Sequence, residues 1–391
     1  MFGRCLGAFL RAVVCMPFRF VSSGLRLLPL LLVAAAPVDP TPGLLRAALP
    51  VVVTLDGAAV TLEGLVVRPD RPGKVPLVVM FHGTPRSEQS GQSEARARVS
   101  PALFNTAAVM FARHGYATVS VMRRGFGRSG GRYAEGGTGR CDTADYLPAA
   151  RAAGEDVVAA TAALRREPWV DPERVVLLGQ SSGGMAVSAA AAAGVPGVRG
   201  VLDFAGGRGS SAPDTVCNPA GLVQTFGTLG RTALVPALWL YAENDHFFGP
   251  ALARRMHAAY TEAGAPAGFV ALPAFGADGH ATLTAAEAEA WWPSVAPFLA
   301  RIGLPTAELV RLPELPRLQV PRDMGNACLA GFRAFEASRT PGKAFAVRSG
   351  GGCGWATRAR DADEAAAEAM ERCATRGGGC TLYARGHGVV P

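Results

Sequence analysis

The chain is 391 residues long, carries a formal net charge of +8, and is 49% hydrophobic but only 7% aromatic. That length suits one large domain plus a small one, and its supply of Val, Leu and Ala for a core excludes global disorder. Residues 1–38 hold four arginines and no acid, so +4 remains beyond them; no long Lys/Arg run stands out there, and no nucleic-acid partner is expected.

The N-terminal region follows the order of a secretory signal. Arg19 and Arg26 precede an apolar run at 27–33, then Ala34-Ala35-Ala36, then a polar, Pro-rich stretch to Pro42. We expect a signal peptide over residues 1–36 and a periplasmic or secreted protein. The apolar run is short of the roughly 20 residues that a spanning helix needs, so no stable membrane span is expected after signal removal. Export sets how the cysteines read. Cys5 and Cys15 leave with the signal, and Cys141, Cys217, Cys328, Cys353, Cys373 and Cys380 remain, an even number suited to disulfides. Their spacing contains no CxxC or CxxH zinc pattern, so no metal site is expected. Clustering suggests Cys141 with Cys217, and four cysteines stapling the C-terminal segment.

Val51-Val52-Val53 and residues 60–67 are β-rich runs separated by Asp56-Gly57, a hairpin signal. Leu77-Val78-Val79-Met80-Phe81 is continuously apolar, as in a strand covered on both faces, and ends at His82-Gly83-Thr84-Pro85. Residues 101–114 have helical spacing, with Ser100 as N-cap and Gly115 at the C-terminal end. Strands are then expected at 117–122, 175–178, 200–204, 237–241 and 269–272. Helices are expected at 149–166, after Gly183 to about 193, at 250–263 and at 285–302. This alternation predicts an α/β protein, an open parallel sheet wrapped by helices, with its active site at the carboxyl ends of the strands. Residues 304–325 form a Pro-rich linker or wrapping segment. Residues 326–384 change character: four cysteines, two glycine runs, a helix at 364–372 started by Asp361 or Asp363, and short strands at 344–347 and 381–384. A module this small needs its disulfides.

Gly179-Gln180-Ser181-Ser182-Gly183 is a G-x-S-x-G motif between an expected strand and an expected helix. There the serine sits on a sharp turn at the sheet edge, near a helix N-terminus that favours negative charge. Ser181 is therefore the candidate nucleophile. A serine hydroxyl needs a base, and the base needs an orienting acid, in the chain order Ser, Asp/Glu, His. Asp245 lies just past the strand at 237–241 and is preferred over Glu243 beside it and Asp203 within an earlier strand. His280, in a glycine-rich loop after the strand at 269–272, is the candidate base. His82 comes ahead of the nucleophile and His246 is adjacent to the acid. The oxyanion needs two backbone donors. One is the N–H of Ser182; the other comes from Gly83 or Thr84, with Thr84 preferred, since Pro85 has none. In the loop Arg123-Arg124-Gly125-Phe126-Gly127-Arg128-Ser129-Gly130, Arg124 and Phe126 are the candidate substrate-binding residues, an arginine there being able to hold a carboxylate; the loop reads equally as a solvated one packed by Phe126.

With these residues in place, 50–303 resemble the α/β-hydrolase superfamily, most of all its dienelactone hydrolase-related, acyl-peptidase-like serine branch. The resemblance rests on His82-Gly83-Thr84, the loop from Arg124 to Gly130, the G-x-S-x-G motif, Asp245 and His280. It implies a mostly parallel eight-stranded sheet, a Ser-His-Asp triad and no cofactor. The best-known dienelactone hydrolases use a cysteine nucleophile where this chain has Ser181, so lactone specificity is not implied. Residues 326–384 are similar to small Cys-rich modules of exported bacterial proteins. The expected function is hydrolysis of a small carboxylic ester through an acyl-enzyme. The alternatives are a serine peptidase of the acyl-peptidase type and a non-catalytic envelope-binding protein on a hydrolase scaffold; the C-terminal module either contacts envelope material or a protein, or buttresses the core.

Overall fold

The structure is a computed structural model that describes residues 39–86, 92–322, 324–375 and 377–390. The expected signal at 1–36 lies outside the described residues. The chain from Val38 onward forms one compact unit.

Strand β1 (Leu44–Ala48) is followed by the hairpin β2 (Val51–Leu55) and β3 (Ala58–Leu62), then by β4 (Gly64–Pro69) and β5 (Val75–Phe81). Asp56, with φ 51°, and Gly57, with φ 77°, make the expected turn. The β-rich run at 60–67 is not one strand, however. It breaks at Glu63, leaving β3 in the hairpin and sending β4 into the main sheet. Helices α1 (Gln92–Ala97) and α2 (Asn105–Arg113) lead to β6 (Ala117–Val121), and α3 (Leu147–Leu164) leads to β7 (Val170–Gln180). Ser100 accepts a hydrogen bond from Ala102 N–H, but it caps a short 3-10 turn, Pro101–Phe104, ahead of α2. Then come α4 (Ser182–Ala193), β8 (Val198–Phe204), the small ribbon β9 (Ser210–Ala212) and β10 (Thr215–Val216), and α5 (Pro219–Gly230). β11 (Ala237–Ala242), α6 (Pro250–Glu262), β12 (Ala267–Leu272), α7 (Thr282–Ala285) and α8 (Trp292–Arg301) complete this part. The helix expected at 285–302 is thus broken: Pro293 opens α8 as a first-turn residue rather than sitting within a longer helix.

The main sheet has the order β1-β4-β6-β5-β7-β8-β11-β12. From β6 to β12 neighbours are parallel, while β4 and β1 join antiparallel at one edge. This is the mostly parallel eight-stranded sheet of an α/β-hydrolase. Alternation along β5 shows why its apolar run is continuous. Leu77, Val79 and Phe81 pack on one face with α3 and α4, and Val78 and Met80 on the other with α2 and α8. The segment after α8 wraps the core: Tyr116 Oη donates to the Pro305 carbonyl, and Leu309 N–H to the Arg113 carbonyl.

In the C-terminal module, α9 (Leu329–Ala337), β13 (Ala344–Arg348), β14 (Gly352–Ala356), α10 (Ala362–Ala374), β15 (Cys380–Arg385) and β16 (Gly388–Val389) form a four-stranded sheet covered on both sides. Ala344 and Ala346 face Ala365 and Ala369 of α10, while Phe345 meets Phe332 and Phe335 of α9. Asp361 is the N-cap of α10. Disulfides join Cys328 to Cys353 and Cys373 to Cys380, one clip for each helix, and Cys141 to Cys217 in the larger part. Among the described residues no helix is long and apolar enough to cross a membrane.

Candidate active site

Between the end of β7 and the start of α4 stands a single residue, Ser181, with φ 59° and ψ −124°. A side chain with a Cβ rarely takes that conformation, which costs on the order of 1–3 kcal/mol and persists only where the surroundings impose it. Here Ser181 N–H is held by the Phe204 carbonyl of β8 (3.0 Å), and the Ser181 carbonyl accepts from Gly207 N–H (3.0 Å). The glycines of the motif are forced by proximity. A Cβ on Gly179 would lie 2.1 Å from the Gly183 carbonyl oxygen, and one on Gly183 would lie 2.1 Å from that of Phe81.

Asp245 sits where β11 gives way to a loop, 2% exposed. Its Oδ1 accepts from the N–H groups of Phe247 (2.7 Å) and Phe248 (2.9 Å), which fixes the carboxylate and leaves Oδ2 for His280 Nδ1 at 3.0 Å. A carboxylate only accepts, so Nδ1 carries the proton and Nε2 is the basic nitrogen. The ring of Phe247 stacks on that of His280, with centroids 3.8 Å apart and planes within 8°, and Arg86 lies over Phe247 at 3.4 Å. Asp278 Oδ1 accepts from both His280 N–H (3.0 Å) and His246 N–H (3.1 Å), tying the base loop to the acid loop. Gln180 Nε2 donates to the His280 carbonyl (3.1 Å). Ser181 and His280 line one cleft of about 710 Å³.

Thr84 lines the same cleft, and its hydroxyl is 2.8 Å from that of Ser182. Beneath them lies a buried charged cluster. Arg123, fully buried, pairs with Glu135, donates to Ser182 Oγ (3.1 Å) and donates to the His82 carbonyl. Arg208 pairs with Glu135 from the other side (2.8 Å). Arg123 N–H donates to His82 Nε2 (3.1 Å), so His82 carries its proton on Nδ1, which donates to the Gly83 carbonyl (2.8 Å). Burial, with the nearby Arg123 charge, pushes the His82 pKa down to about 3; it is a neutral structural histidine.

Arg124 and Phe126 correct our expectation: neither is among the residues lining the cleft. Arg124 is 3% exposed, and its guanidinium pairs with Asp56 (2.7 Å), Glu155 (2.8 Å) and Asp156 (2.8 Å), joining the hairpin to α3. Phe126 is fully buried, edge-on to the His82 ring at 4.4 Å. Three carboxylates already neutralise Arg124, away from the cleft. The site's other members were not legible. Arg86 and Phe247 back the imidazole, Arg123 anchors Ser182, and Arg358, Glu368, Glu371 and Arg372 line the cleft from the C-terminal module. Gln180, which holds the His280 carbonyl, did carry a local signal, as the motif residue before the serine.

The remaining acid and base candidates lie elsewhere. His246 pairs with Asp214 (2.9 Å). Asp203 is fully buried within β8, with Ser188 Oγ 3.5 Å away. Burial raises its pKa from 3.8 to about 8, so the folded protein holds it protonated at neutral pH while the unfolded chain ionises it. The folded state therefore binds the extra proton between pH 4 and 8, and this group's contribution to stability falls as pH rises through that window. Asp203→Asn keeps the neutral shape. Its melting temperature relative to wild type is expected to climb by a few degrees from pH 5 to 8 and to level off above, measured by thermal melts across that range.

The sequence model of the X-Pro dipeptidyl-peptidase (S15) family matches residues 56–293. The chain belongs to this family. The S15 match contains Ser181, Asp245 and His280 and stops short of the C-terminal module, so this member of the serine-hydrolase families carries a segment beyond its family's model. No curated protein matches the chain. Among solved structures, this S15 member is similar to a protein described as a dienelactone hydrolase from Klebsiella pneumoniae (TM-score 0.43, 15% identity, over 66% of this chain and 98% of that one). It is similar to an esterase from Pyrococcus furiosus (0.44, 15%, 65% and 90%) and to an acylaminoacyl peptidase from Pyrococcus horikoshii (0.46, 16%, 70% and 43%).

Proposed function

We propose that the protein is an exported serine hydrolase that cleaves a carboxylic ester of a small substrate through an acyl-enzyme on Ser181. The observation that carries this reading is the His280–Asp245 pair at 3.0 Å sharing one cleft with a serine held in a strained strand-to-helix turn. His280 Nε2 takes the Ser181 proton as Oγ attacks the ester carbonyl. Asp245 holds the ring in the required tautomer and stabilises it when charged. The N–H groups of Ser182 and Thr84 accept the developing oxyanion as hydrogen-bond donors, with the buried guanidinium of Arg123 behind them. The alcohol leaves with the proton returned by His280, and water, activated by the same imidazole, releases the acid.

Three disulfides among the described residues support an oxidising compartment, in keeping with the signal-like order of residues 1–36. A second reading, removal of X-Pro dipeptides, is favoured by the family match. A competition separates them: a short-chain nitrophenyl ester and a glycyl-prolyl nitroanilide are offered to the mature protein, with fluorophosphonate labelling mapped to its residue. Ester turnover with label on Ser181 is the expected result. Faster turnover of the anilide assigns the peptidase, and no label at Ser181 removes both readings.

A further inference from the structure

The C-terminal module is built into the cleft. Ahead of α10, Arg360 reaches across to Glu63 at the β3–β4 break (2.5 and 3.0 Å) and to the Val99 carbonyl (3.1 Å), while also holding Glu364 (2.6 Å) in the first turn of the helix. So anchored, α10 presents one face to the cleft that contains Ser181 and His280. Glu368, Glu371, Arg372 and Thr375 line it at the i, i+3, i+4, i+7 spacing of a single helical face, with Arg358 just before them.

The cleft's cations are unequal. Arg86 is committed to Phe247, to Ser210 Oγ (2.5 Å) and to the His246 carbonyl (3.4 Å); Arg372 is committed to Glu368 and to the Trp355 carbonyl (2.7 Å). The guanidinium groups of Arg98, from the core, and Arg358, from the module, have no ion-pair or hydrogen-bond partner among the described residues. Glu371, exposed on α10, lines the same cleft. Both guanidinium-bearing side chains are open to solvent; desolvation, with the like charge of Arg372, lowers the Arg358 pKa, and Glu368 offsets this only in part. A planar fork left unpaired in a cleft is satisfied best by a carboxylate.

We propose that Arg358 and Arg98 form a carboxylate-accepting subsite, so that the module is a specificity wall of the active site and the enzyme prefers esters carrying a second, free carboxylate. This rests on the acyl-transfer reading of Ser181. The test compares kcat/KM on 4-nitrophenyl hydrogen adipate with that on 4-nitrophenyl hexanoate, a neutral ester of equal chain length. The adipate ester is expected to be favoured by about 10-fold or more at low ionic strength, with the advantage shrinking as salt rises. Arg358→Glu is expected to lower kcat/KM on the adipate ester by about 10–100-fold, chiefly through KM, with a smaller fall on the hexanoate. Arg98→Glu, in a separate element, is expected to act in the same direction and covers the case in which Arg358→Glu disturbs the module. Equal rates on the two esters, or equal falls on both in the two variants, overturn the subsite. Fluorophosphonate labelling of Ser181 without charge discrimination removes the subsite alone; absence of both labelling and turnover removes the acyl-transfer reading beneath it.

Discussion

Ser181→Ala is expected to lower kcat on a nitrophenyl ester by about 10⁴–10⁶-fold, the range found when the nucleophile of a triad acting as a unit is removed. Only one oxygen is lost, and the substitution leaves a Cβ in the same positive-φ position, so the strain of the turn remains. The melting temperature should therefore move by no more than a few degrees, which separates lost chemistry from lost fold. Ser181→Gly sharpens the test. Without a Cβ the turn relaxes, and a gain of about 1 kcal/mol in stability is expected beside the same loss of activity. Activity above a tenth of wild type in Ser181→Ala would move the nucleophile to another residue.

The second large effect is expected at Arg123. Arg123→Met replaces a fully buried guanidinium by a shorter, uncharged side chain and leaves Arg208 as the one cationic partner of Glu135 among the described residues. Breaking a buried pair outright costs about 3–5 kcal/mol; with Arg208 still in place we expect about 2–4 kcal/mol, measured by urea unfolding. Burial alone would raise the Glu135 carboxyl, but Arg123 and then Arg208 outweigh it and hold its pKa at about 2. A depressed carboxylate stabilises fully above its unfolded pKa, and that stabilisation is lost as pH falls through the folded value. In Arg123→Met the depression shrinks, so the acid-unfolding midpoint should shift to higher pH. Ser182 Oγ and the His82 carbonyl lose their donor in the same variant. The loop bearing Thr84 is then less firmly placed, and a fall in kcat of about 10-fold with little change in KM is expected.

What the sequence revealed and what it hid follow one physical distinction. The nucleophile turn was legible because its constraints are local: Gly179 and Gly183 are needed by atoms within a few residues or at the adjacent strand end. The order of strands and helices was legible because burial on two faces leaves continuous apolar runs such as 77–81. Arg124 was misread because its fate depends on Asp56 and Asp156, 68 and 32 residues away, and no nearby pattern records that meeting. Helix α5 escaped notice although Asn218, which accepts from Gly221 N–H, and Pro219 at its start form a recognisable opening. The helix at 364–372 was expected, but no role could be read for its charges; only tertiary placement brings them to the cleft that contains Ser181.

That placement affects the order in which a working enzyme comes into being. Ser181, Asp245 and His280 all precede residue 300, whereas Arg358 and the α10 face come from a segment synthesised later and clipped by Cys373–Cys380. A chain grown only as far as residue 300 therefore holds Ser181, Asp245 and His280 without the wall proposed to select what approaches them.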